Sequence, residues 1–456
     1  MSPLPTILFL ALALCSLTVL VYWFIAGIET LTTIWTVPTA KKGLALADAT
    51  PASQRSTPRV CIIIPAHDEA EVIARITQSL IKQDYPNFSV VFALDRCTDD
   101  TLPRLRAATA GDLRIEWIEI ASCPADWAGK VNAVHHGATG TAAGRNAELL
   151  LFTDADTIFH PRCLTATVAM LQHQNVGMLS LLSTLTTNRW FELLLQPVAG
   201  FQMLTQFPLK RANRTGPGRR ALANGQFMLF TRKCYNAIGG HTRTSGHLLE
   251  DIKLARLVLE AGFEQSLLMA HGLLICEMYR SWPQFARGWK RIFTELSGRD
   301  PRRLRKYAMR LAILNGLLPL AAWASLLAWP LMGQFRSDPL VIATAILGAL
   351  GLLCHLGAMA RGLLWSGGSP FLALLHAPGA IGVALLLRQA AADLKSGNAI
   401  QWGGKAYDLM GTNTHDGQFI NREPNQPSRP PSAALAPAFA QAQAPTTPAH
   451  VTPQKG

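Results

Sequence analysis

The feature that most constrains this chain is a long stretch without charged side chains near the N-terminus. Residues 7–28 contain no Asp, Glu, Lys or Arg over 22 positions. A helix of that length spans the roughly 30 Å of hydrocarbon in a bilayer. A cleaved signal peptide is the alternative, but it would carry basic residues ahead of a shorter apolar core. No basic residue precedes position 7, so we expect an uncleaved transmembrane anchor over residues 1–30.

Three further apolar runs lie toward the C-terminus, at residues 311–332, 340–360 and 371–387. The first two are uncharged and long enough to span a bilayer. The third has only 17 residues and contains His376, Pro378 and Gly379. It could span the membrane, re-enter it, or lie in its interface. We therefore expect two or three membrane segments within residues 311–390.

Positive charge sets the expected orientation of these segments. Lysines and arginines follow the first run and precede the second, and both flanks belong to the stretch between them: Lys41, Lys42, Arg55, Arg59, Arg302, Arg303, Arg305, Lys306 and Arg310. Because Lys and Arg concentrate on the cytoplasmic side of membrane proteins, we expect residues ~30–310 on the cytoplasmic face, in a multi-pass protein of a bacterial cell membrane.

Composition narrows the class of protein further. Charged residues make up 16% of the chain and hydrophobic residues 49%, whereas soluble proteins average about 25% charged residues. A purely soluble protein is therefore disfavoured. The formal net charge of +13 suits an anionic partner such as a phospholipid surface, a nucleotide diphosphate or nucleic acid.

The middle of the chain alternates apolar runs with helical patterns. Strands are expected over residues 60–64, 88–94, 115–120 and 149–153, and a helix over 68–83. Continuous apolar strands that alternate with helices predict an α/β fold with a mainly parallel sheet covered on both faces. In such sheets ligands bind beyond the carboxyl ends of the strands. Residues that carry chemistry should therefore follow a strand directly.

Acidic residues occupy three positions of interest. Asp95 and Asp99 follow the second strand, Asp154 and Asp156 follow the fourth, and Glu250 and Asp251 open a helix pattern. A helix cap or a turn is the simple alternative for each one alone. Asp154 and Asp156 are harder to explain in this way, because at strand spacing both side chains point the same way. Paired carboxylates suit a divalent cation, Mg²⁺ or Mn²⁺, whose shell substrate phosphates usually complete.

Seven short motifs, taken together in this order, resemble those of the family 2 membrane glycosyltransferases, which have a GT-A domain. They are PAHDEA (65–70), ALDRCTDDT (93–101), AGK (128–130), TDADT (153–157), NGQFML (224–229), GGH (239–241) and LEDIKLA (249–255). The resemblance covers residues ~59–295. More narrowly, the chain is similar to the lipid-modifying branch that contains ceramide glucosyltransferases and enzymes associated with hopanoid and carotenoid glycosylation.

The resemblance implies roles for residues at the donor end of the site. Glu69 and Asp95 match the positions that hold the nucleotide base and ribose, and Lys130 matches the lysine that contacts the nucleotide or its diphosphate. Asp154 and Asp156 match the DXD carboxylates, which bind the diphosphate through the metal. The chain departs from the family after the second strand, where a single acid replaces the usual pair of aspartates.

Two further elements carry over from the family. Asp251 matches the catalytic base of the ED pair, and Gln284 and Arg287 resemble the Q-x-x-R-W element that closes over the donor. Here Gly288 is inserted before Trp289. If residues 282–293 form one helix, Gln284 and Arg287 share one face while Trp289 lies on the opposite, aromatic face. We therefore expect Arg287, rather than Trp289, to be a site residue.

The segment over residues 276–310 is expected to lie at the membrane surface. It holds ten Lys or Arg residues against three acids, and its aromatic and basic faces precede a membrane segment. A charged, solvated helix is the alternative. Nucleic acid is not expected as a partner, because no recognition motif is present and the basic cluster adjoins a membrane segment.

The expected organisation has seven parts. They are an anchor (1–30), a linker (31–58), a GT-A domain (59–275), the basic segment (276–310), the membrane region (311–390), a short segment (391–420) and a disordered Pro/Ala-rich tail (421–456). The expected function is an inverting, metal-assisted transfer of a sugar from a nucleotide-sugar to a hydroxyl of a lipid-type acceptor in the membrane. A processive polysaccharide synthase of the same superfamily and a non-catalytic membrane scaffold are the alternatives.

Overall fold

The computed structural model describes residues 3–206, 209–214, 216, 218–247, 249–396, 400–402 and 405–407. The tail expected over 421–456 lies outside the described residues, as does most of the segment expected over 391–420.

The described strands form three sheets and are numbered in chain order. They are β1 (Val60–Ala66), β2 (Phe88–Asp95), β3 (Ile115–Ile120), β4 (Leu149–Phe152), β5 (Thr157–Phe159), β6 (Met178–Leu182), β7 (Thr184–Leu185), β8 (Met228–Thr231), β9 (Gln265–Met269), β10 (Leu274–Cys276), β11 (Ile400–Trp402) and β12 (Lys405–Tyr407).

The α-helices are likewise numbered in chain order. They are α1 (Pro3–Thr36), α2 (Lys41–Ala49), α3 (Ile73–Ile81), α4 (Thr101–Thr109), α5 (Gly129–Gly140), α6 (Ala142–Asn146), α7 (Cys163–Gln174), α8 (Trp190–Gln206), α9 (Arg232–Ala237), α10 (Glu250–Glu260), α11 (Trp282–Leu296), α12 (Pro301–Arg310), α13 (Leu318–Ala328), α14 (Pro339–Ser366) and α15 (His376–Lys395). A π-helical turn, Leu311–Leu317, joins α12 to α13.

A seven-stranded sheet forms the centre of the α/β domain (residues 60–276), in the order β3-β2-β1-β4-β8-β6-β9. All neighbours are parallel except β8, which runs antiparallel to both β4 and β6. Apolar side chains pack on both faces of the sheet, which explains the continuous apolar runs in the sequence. The mainly parallel α/β sheet that the sequence predicts is confirmed.

A smaller sheet, in the order β5-β10-β7, lies beyond the end of β4. β10 pairs antiparallel with β5, and Cys276 lies opposite Thr157. The chain that leaves β10 therefore runs beside the turn that follows β4. This small sheet is what places the later part of the chain at the carboxyl edge of the large sheet.

One local expectation was wrong. The helix expected over 68–83 begins only at Ile73, because Asp68 adopts a positive φ of 55° and its carboxylate accepts the backbone N–H of Thr98 at 2.7 Å. Within the stretch expected as a linker, 31–58, α1 continues to Thr36 and α2 packs on α7.

Four helices within the described residues are long and apolar enough to cross a membrane. They are Leu4–Thr36, Pro301–Leu331, Pro339–Ser366 and Pro370–Lys395. The first packs along α14 and α13, where Ser16 Oγ and Ser325 Oγ form a buried hydrogen bond of 2.9 Å. The length and composition of the fourth are those of a spanning helix, which favours one of the three possibilities that the sequence leaves open.

One turn of the α/β domain, residues 269–272, is hydrogen-bonded both to the chain after α1 and to the end of α14. The chain just after α1 forms a β-bridge to it, with Ala40 N donating to Met269 O at 2.8 Å and Met269 N donating to Pro38 O at 3.0 Å. On the other side, His271 Nδ1 donates to the Trp365 carbonyl at the end of α14 at 2.9 Å. The domain is therefore attached to α1 and α14 through the same turn.

Two histidines pair inside the helical bundle. His355 Nε2 and His376 Nδ1 lie 3.0 Å apart, and both residues are buried beside Trp23. Buried polar groups in membrane helices are costly unless they are paired. The pair therefore ties α14 to α15.

We predict that His376→Leu lowers stability by about 1–3 kcal/mol, because it leaves His355 buried without its partner. The double variant with His355→Leu should recover part of that loss. Thermal unfolding of the purified protein in detergent measures both effects. Exposed His173 provides the control as His173→Leu, and a double variant less stable than either single one would contradict the pairing.

Candidate active site

The carboxyl ends of three strands meet at one edge of the large sheet. β1 lies between β2 and β4, and both pairings are parallel. Asp95 ends β2, and Asp154 follows β4 by two residues. A cleft at this edge is lined by residues that include Pro65, Lys130, Asp154, Gly225, His241 and Glu250. The expectation that the chemistry-bearing residues follow strands holds for these two aspartates.

Threonines brace the turn that carries Asp154 and Asp156. Thr153 Oγ1 donates to the Gln226 carbonyl at 2.7 Å and lies 3.0 Å from Thr157 Oγ1. Thr157 Oγ1 in turn donates to the Asp154 carbonyl at 2.8 Å. The turn is thus fixed by side chains that are themselves buried, so the two carboxylates are held close together before any ligand binds.

Lys130 joins the two acidic motifs. Its Nζ lies 2.8 Å from Asp154 Oδ1 and 2.8 Å from Glu250 Oε1. Burial alone would lower the pKa of Lys130, but the charges of Asp154 and Glu250 outweigh it and raise the pKa above its ordinary value. The lysine is therefore a fixed cation between the DXD turn and the start of α10.

Asp251 is held beside this cation but is not paired with it. Its Oδ2 accepts the backbone N–H of Gly225 at 3.1 Å, and its Oδ1 accepts that of Ile252 at 2.8 Å. A Cβ on Gly225 would lie 3.1 Å from Lys130 Nζ and 3.6 Å from Asp251 Oδ2. Glycine at this position thus lets the backbone approach both groups.

The two acids at the start of α10 have different roles in this arrangement. Glu250 is buried and neutralised by Lys130. Burial and the neighbouring charge of Glu250 raise the pKa of Asp251 to about 6, against the opposing effect of Lys130. Asp251 can consequently take up a proton near neutral pH.

Asp156 fits a metal ion. Its Oδ1 is buried and has no hydrogen-bond partner among the described residues. Burial and the charges of Asp154 and Glu69 raise its pKa to about 7, against the opposing effects of a hydrogen bond with Cys276 and the charge of Lys130. In the part of the chain that the structure describes, no three His, Cys, Asp or Glu side chains could hold a metal by themselves. Substrate oxygens would have to complete the shell.

The Asp95 carboxylate is already engaged by its neighbour. Arg96 donates to it through Nε at 2.9 Å and Nη2 at 2.7 Å, and Arg96 has a positive φ of 51°. A Cβ on Gly129 would lie 2.8 Å from Asp95 Oδ2, so this ion pair lies against the start of α5, next to Lys130.

Glu69 lies near Asp154 and Asp156, the carboxylates that the resemblance assigns to a metal and that we call the metal-type carboxylates. Burial raises its pKa to about 7, helped by the charges of Asp154 and Asp99 and opposed by Arg280, whose Nη2 lies 3.9 Å from Glu69 Oε2. Asp99 has a structural role instead, since it accepts the backbone N–H groups of Ala70 and Thr101 at 3.1 and 2.9 Å.

The structure does not bring Gln284 and Arg287 onto the carboxylates. Both lie on the exposed face of α11, where Gln284 Oε1 accepts the backbone N–H of Arg280 at 3.0 Å. Trp289 is 1% exposed and packs with Phe285 and Phe293 in the core beneath α11. The two helix faces therefore separate as the sequence predicts.

Sequence reasoning missed three groups near the site. Arg96 lies within the motif ALDRCTDDT but was given no role, and Arg280 belongs to no motif, although each pairs with a predicted site residue. His241 of the GGH motif was likewise given no role from the sequence. It is buried and hydrogen-bonds Tyr235 Oη through Nδ1 at 2.8 Å. Burial and the nearby charge of Lys130 lower its pKa to about 3, so it lines the cleft as a neutral group.

Comparison with protein families gives a match that fits this geometry. The model of the glycosyltransferase-like family 2 matches residues 58–287, which contain all the acidic motifs and Lys130. The chain belongs to this family. Its mainly parallel sheet, with helices at both ends that could span a membrane, is the GT-A-like arrangement expected from the sequence.

Relatives and solved structures extend the comparison. A 4,4'-diaponeurosporenoate glycosyltransferase of Staphylococcus aureus is 26% identical over 252 residues, which are 53% of this chain and 62% of that protein. This chain therefore spans less than two thirds of that relative's length.

Two solved structures are similar at lower identity. A mannosyltransferase from Pyrobaculum calidifontis, in complex with GDP-Man and Mn²⁺, has a TM-score of 0.42 and 20% identity over 84% of this chain and 99% of that one. S. aureus TarS 1–349, in complex with UDP-GlcNAc, has a TM-score of 0.36 and 15% identity over 80% of this chain and 100% of that one.

We predict that Lys130→Met lowers stability by about 2 kcal/mol, because it leaves Asp154 and buried Glu250 without their shared cation. Adding Glu250→Gln removes one of the uncompensated charges and should restore about half of the loss. Thermal unfolding in detergent measures both variants, with Lys233→Met on an exposed lysine as the control. If Lys130→Met were as stable as that control, the bridging role would be wrong.

Proposed function

We propose that this protein is a membrane-bound, inverting glycosyltransferase that moves a sugar from a nucleotide-sugar to a hydroxyl of a lipid-type acceptor. One arrangement carries the proposal: Lys130 lies 2.8 Å from both Asp154 and Glu250, and Asp251 Oδ2 lies beside the same nitrogen across Gly225. The first DXD carboxylate and the candidate base therefore lie around one cation. Family membership supports sugar transfer as the reaction. The four apolar helices support an acceptor that resides in the membrane.

The donor is assigned to the carboxyl edge of the sheet. In this proposal Glu69 and Asp95 hold the nucleoside, while Lys130 acts on the diphosphate. Gln284 and Arg287 lie on the exposed face of α11 and are given no contact with the donor. Asp154 and Asp156 would hold a divalent cation, Mg²⁺ or Mn²⁺, and the unpartnered Oδ1 of Asp156 supports that assignment. Such a cation acts as a Lewis acid on the diphosphate.

The chain's own groups carry the transfer step. The acceptor oxygen attacks the anomeric carbon as the bond from that carbon to the diphosphate oxygen breaks, and the hydroxyl proton passes to Asp251. Lys130, fixed before the reaction, stabilises negative charge that develops on the diphosphate. Asp251 suits the role of base because its N–H contacts to Gly225 and Ile252 orient it, while its raised pKa gives it basicity near neutral pH.

The basic segment supports a position at an anionic phospholipid surface. α11 presents Gln284 and Arg287 outward and buries its aromatic face, and α12 adds five Lys or Arg residues between Pro301 and Arg310. Each basic residue near an anionic surface contributes about 1 kcal/mol of attraction. With residues ~30–310 on the cytoplasmic side, the cleft would face a cytoplasmic supply of nucleotide-sugars.

A lipid-type acceptor also has support from the staphylococcal relative, which is named for the carotenoid acid diaponeurosporenoate. A carboxylate acceptor is already ionised at neutral pH and needs no base. The oriented, weakly acidic Asp251 therefore favours a hydroxyl acceptor in this protein.

We predict that purified protein in detergent, given radiolabelled UDP- and GDP-sugars, Mn²⁺ and a bacterial lipid extract, transfers one sugar into the organic phase. Asp251→Asn should lower the transfer rate by about 10²–10⁴-fold and leave nucleoside diphosphate affinity unchanged. The rate of wild-type protein should fall as the pH drops below about 6, because Asp251 becomes protonated.

Exposed Asp48 provides the matched control as Asp48→Asn. Loss of nucleotide affinity in Asp251→Asn would refute its assignment as the base. A nearly unchanged rate in that variant would indicate an acceptor that needs no base, such as a carboxylate. A ladder of products with many sugars would instead identify a polysaccharide synthase.

We predict that binding of UDP or GDP depends on the divalent cation and is lost with EDTA. Asp156→Ala should remove the Mn²⁺-dependent part of the affinity, because it removes the oxygen that has no protein partner. Isothermal titration calorimetry with and without MnCl₂ measures this, again with Asp48→Asn as control. Equal affinity in EDTA and in Mn²⁺ would contradict the metal site.

A further inference from the structure

Residues 277–281, which we call the strap, connect β10 to α11 and run beside the metal-type carboxylates. Cys276 at the end of β10 lies opposite Thr157, and the backbone N–H of Glu277 donates to the Asp156 carbonyl at 3.1 Å. Three residues span at most about 10 Å of chain. Arg280 is therefore fixed within reach of the DXD turn by the topology itself.

The strap is braced along its length. At its start, the carboxylate of Glu277 pairs with Arg189 at 2.7 Å and also with Arg75. Further along, the ring of Tyr279 packs so closely on α11 that a Cβ at Gly288 would lie 2.2 Å from Tyr279 Oη. The inserted glycine that interrupts the Q-x-x-R-W pattern thus makes room for this tyrosine.

Backbone contacts continue the bracing to the helix. The N–H of Arg280 donates to Gln284 Oε1 at 3.0 Å, and Ser281 caps α11 by accepting the N–H of Gln284 at 3.5 Å. Gln284 therefore acts on the strap from the helix that follows it. Since the backbone is held on both sides of Arg280, the origin of its side chain is well defined.

The side chain of Arg280 lies at the edge of the carboxylate cluster. It forms an ion pair with Glu71 and lies 3.9 Å from Glu69 through Nη2. The charge of Asp154 raises the pKa of Glu69, and the charge of Glu69 raises the pKa of Asp156, so these carboxylates lie close enough to repel one another. Arg280 is thus a cation on the Glu69 side of the cluster, whereas Lys130 is bound to Asp154 and Glu250.

The ion pair of Arg280 with Glu71 is easily exchanged. The Glu71 side chain is 69% exposed, and exposed ion pairs contribute little to stability because water and salt screen them. A guanidinium has a planar fork of donors that matches two phosphate oxygens. A nucleoside diphosphate in the cleft would therefore be a better partner for Arg280 than the exposed carboxylate.

We propose that Arg280 is a binding residue for the diphosphate of the donor, and that its guanidinium exchanges Glu71 for phosphate oxygens when the nucleotide binds. This inference rests on the proposed function and deepens it. The cleft then has two protein cations, Lys130 from the start of α5 and Arg280 from the strap. The resemblance had assigned the arginine of this region to Arg287, one position before Gly288 on the exposed face of α11.

The test compares nucleotides that differ by one phosphate. Full-length protein in detergent with MnCl₂ is titrated calorimetrically with UDP and UMP and with GDP and GMP. Arg280→Gln should lower the affinity for whichever diphosphate the wild type binds by about 10- to 100-fold, as expected for the loss of a charge-assisted hydrogen bond. It should change the affinity for the matching monophosphate by less than about twofold. Arg280→Lys should recover part of the loss, because it keeps the charge but not the fork.

Arg145→Gln is the matched control, since Arg145 is exposed and donates to a backbone carbonyl on α5. Thermal unfolding of each variant shows whether it is folded. Unchanged diphosphate affinity in folded Arg280→Gln, or an equal loss for mono- and diphosphate, would overturn the assignment. If wild-type protein binds neither UDP nor GDP, the proposed nucleotide-sugar donor is wrong. If wild-type protein binds one of them and Arg280→Gln binds it equally well, only the assignment of Arg280 is wrong.

Discussion

The ammonium group of Lys130 is the interaction on which this site depends. Asp154 and Glu250 come from separate parts of the family domain in sequence, the middle and the C-terminal part, and each lies 2.8 Å from the same nitrogen. Two carboxylates in a partly buried cleft repel each other by several kcal/mol unless a cation lies between them. Lys130 therefore has a structural role as well as its proposed role in binding the diphosphate. It bridges the DXD turn and the start of α10, and Asp251 lies beside it across Gly225.

The charge of Lys130 also places two adjacent acids, Glu250 and Asp251, in different environments. Glu250 is turned toward Lys130 and neutralised, whereas Asp251 is turned toward the N–H groups of Gly225 and Ile252. From the sequence the two are equivalent members of an acidic pair, distinguished only by resemblance to a family. The structure gives a physical reason for their difference, since Glu250 is paired with Lys130, whereas Asp251 is oriented by two backbone N–H groups and has a pKa raised to about 6.

What the sequence could predict was local. β1 to β4 were located to within one or two residues at each end, because buried parallel strands are continuous apolar runs. β8 was missed as a strand because its four residues form no longer pattern, and its place between β4 and β6 depends on pairing across the sheet. Arg280 was missed for a similar reason: its significance comes from the pairing of β10 with β5. Asp68 was assigned to a helix because periodicity carries no information about the distant Thr98 N–H that it accepts.

The turn at residues 269–272 has a consequence for which molecules can be acceptors. It is bonded to the chain after α1 on one side and to the end of α14 on the other, so the reacting edge of the sheet cannot rise or sink independently of the bundle. These hydrogen bonds fix the height of the α/β domain relative to α1 and α14. Under the proposed function, the protein would fix the distance from the bilayer to Asp251. An acceptor would then be selected by how far its reactive oxygen projects above the bilayer surface as well as by the chemistry around that oxygen.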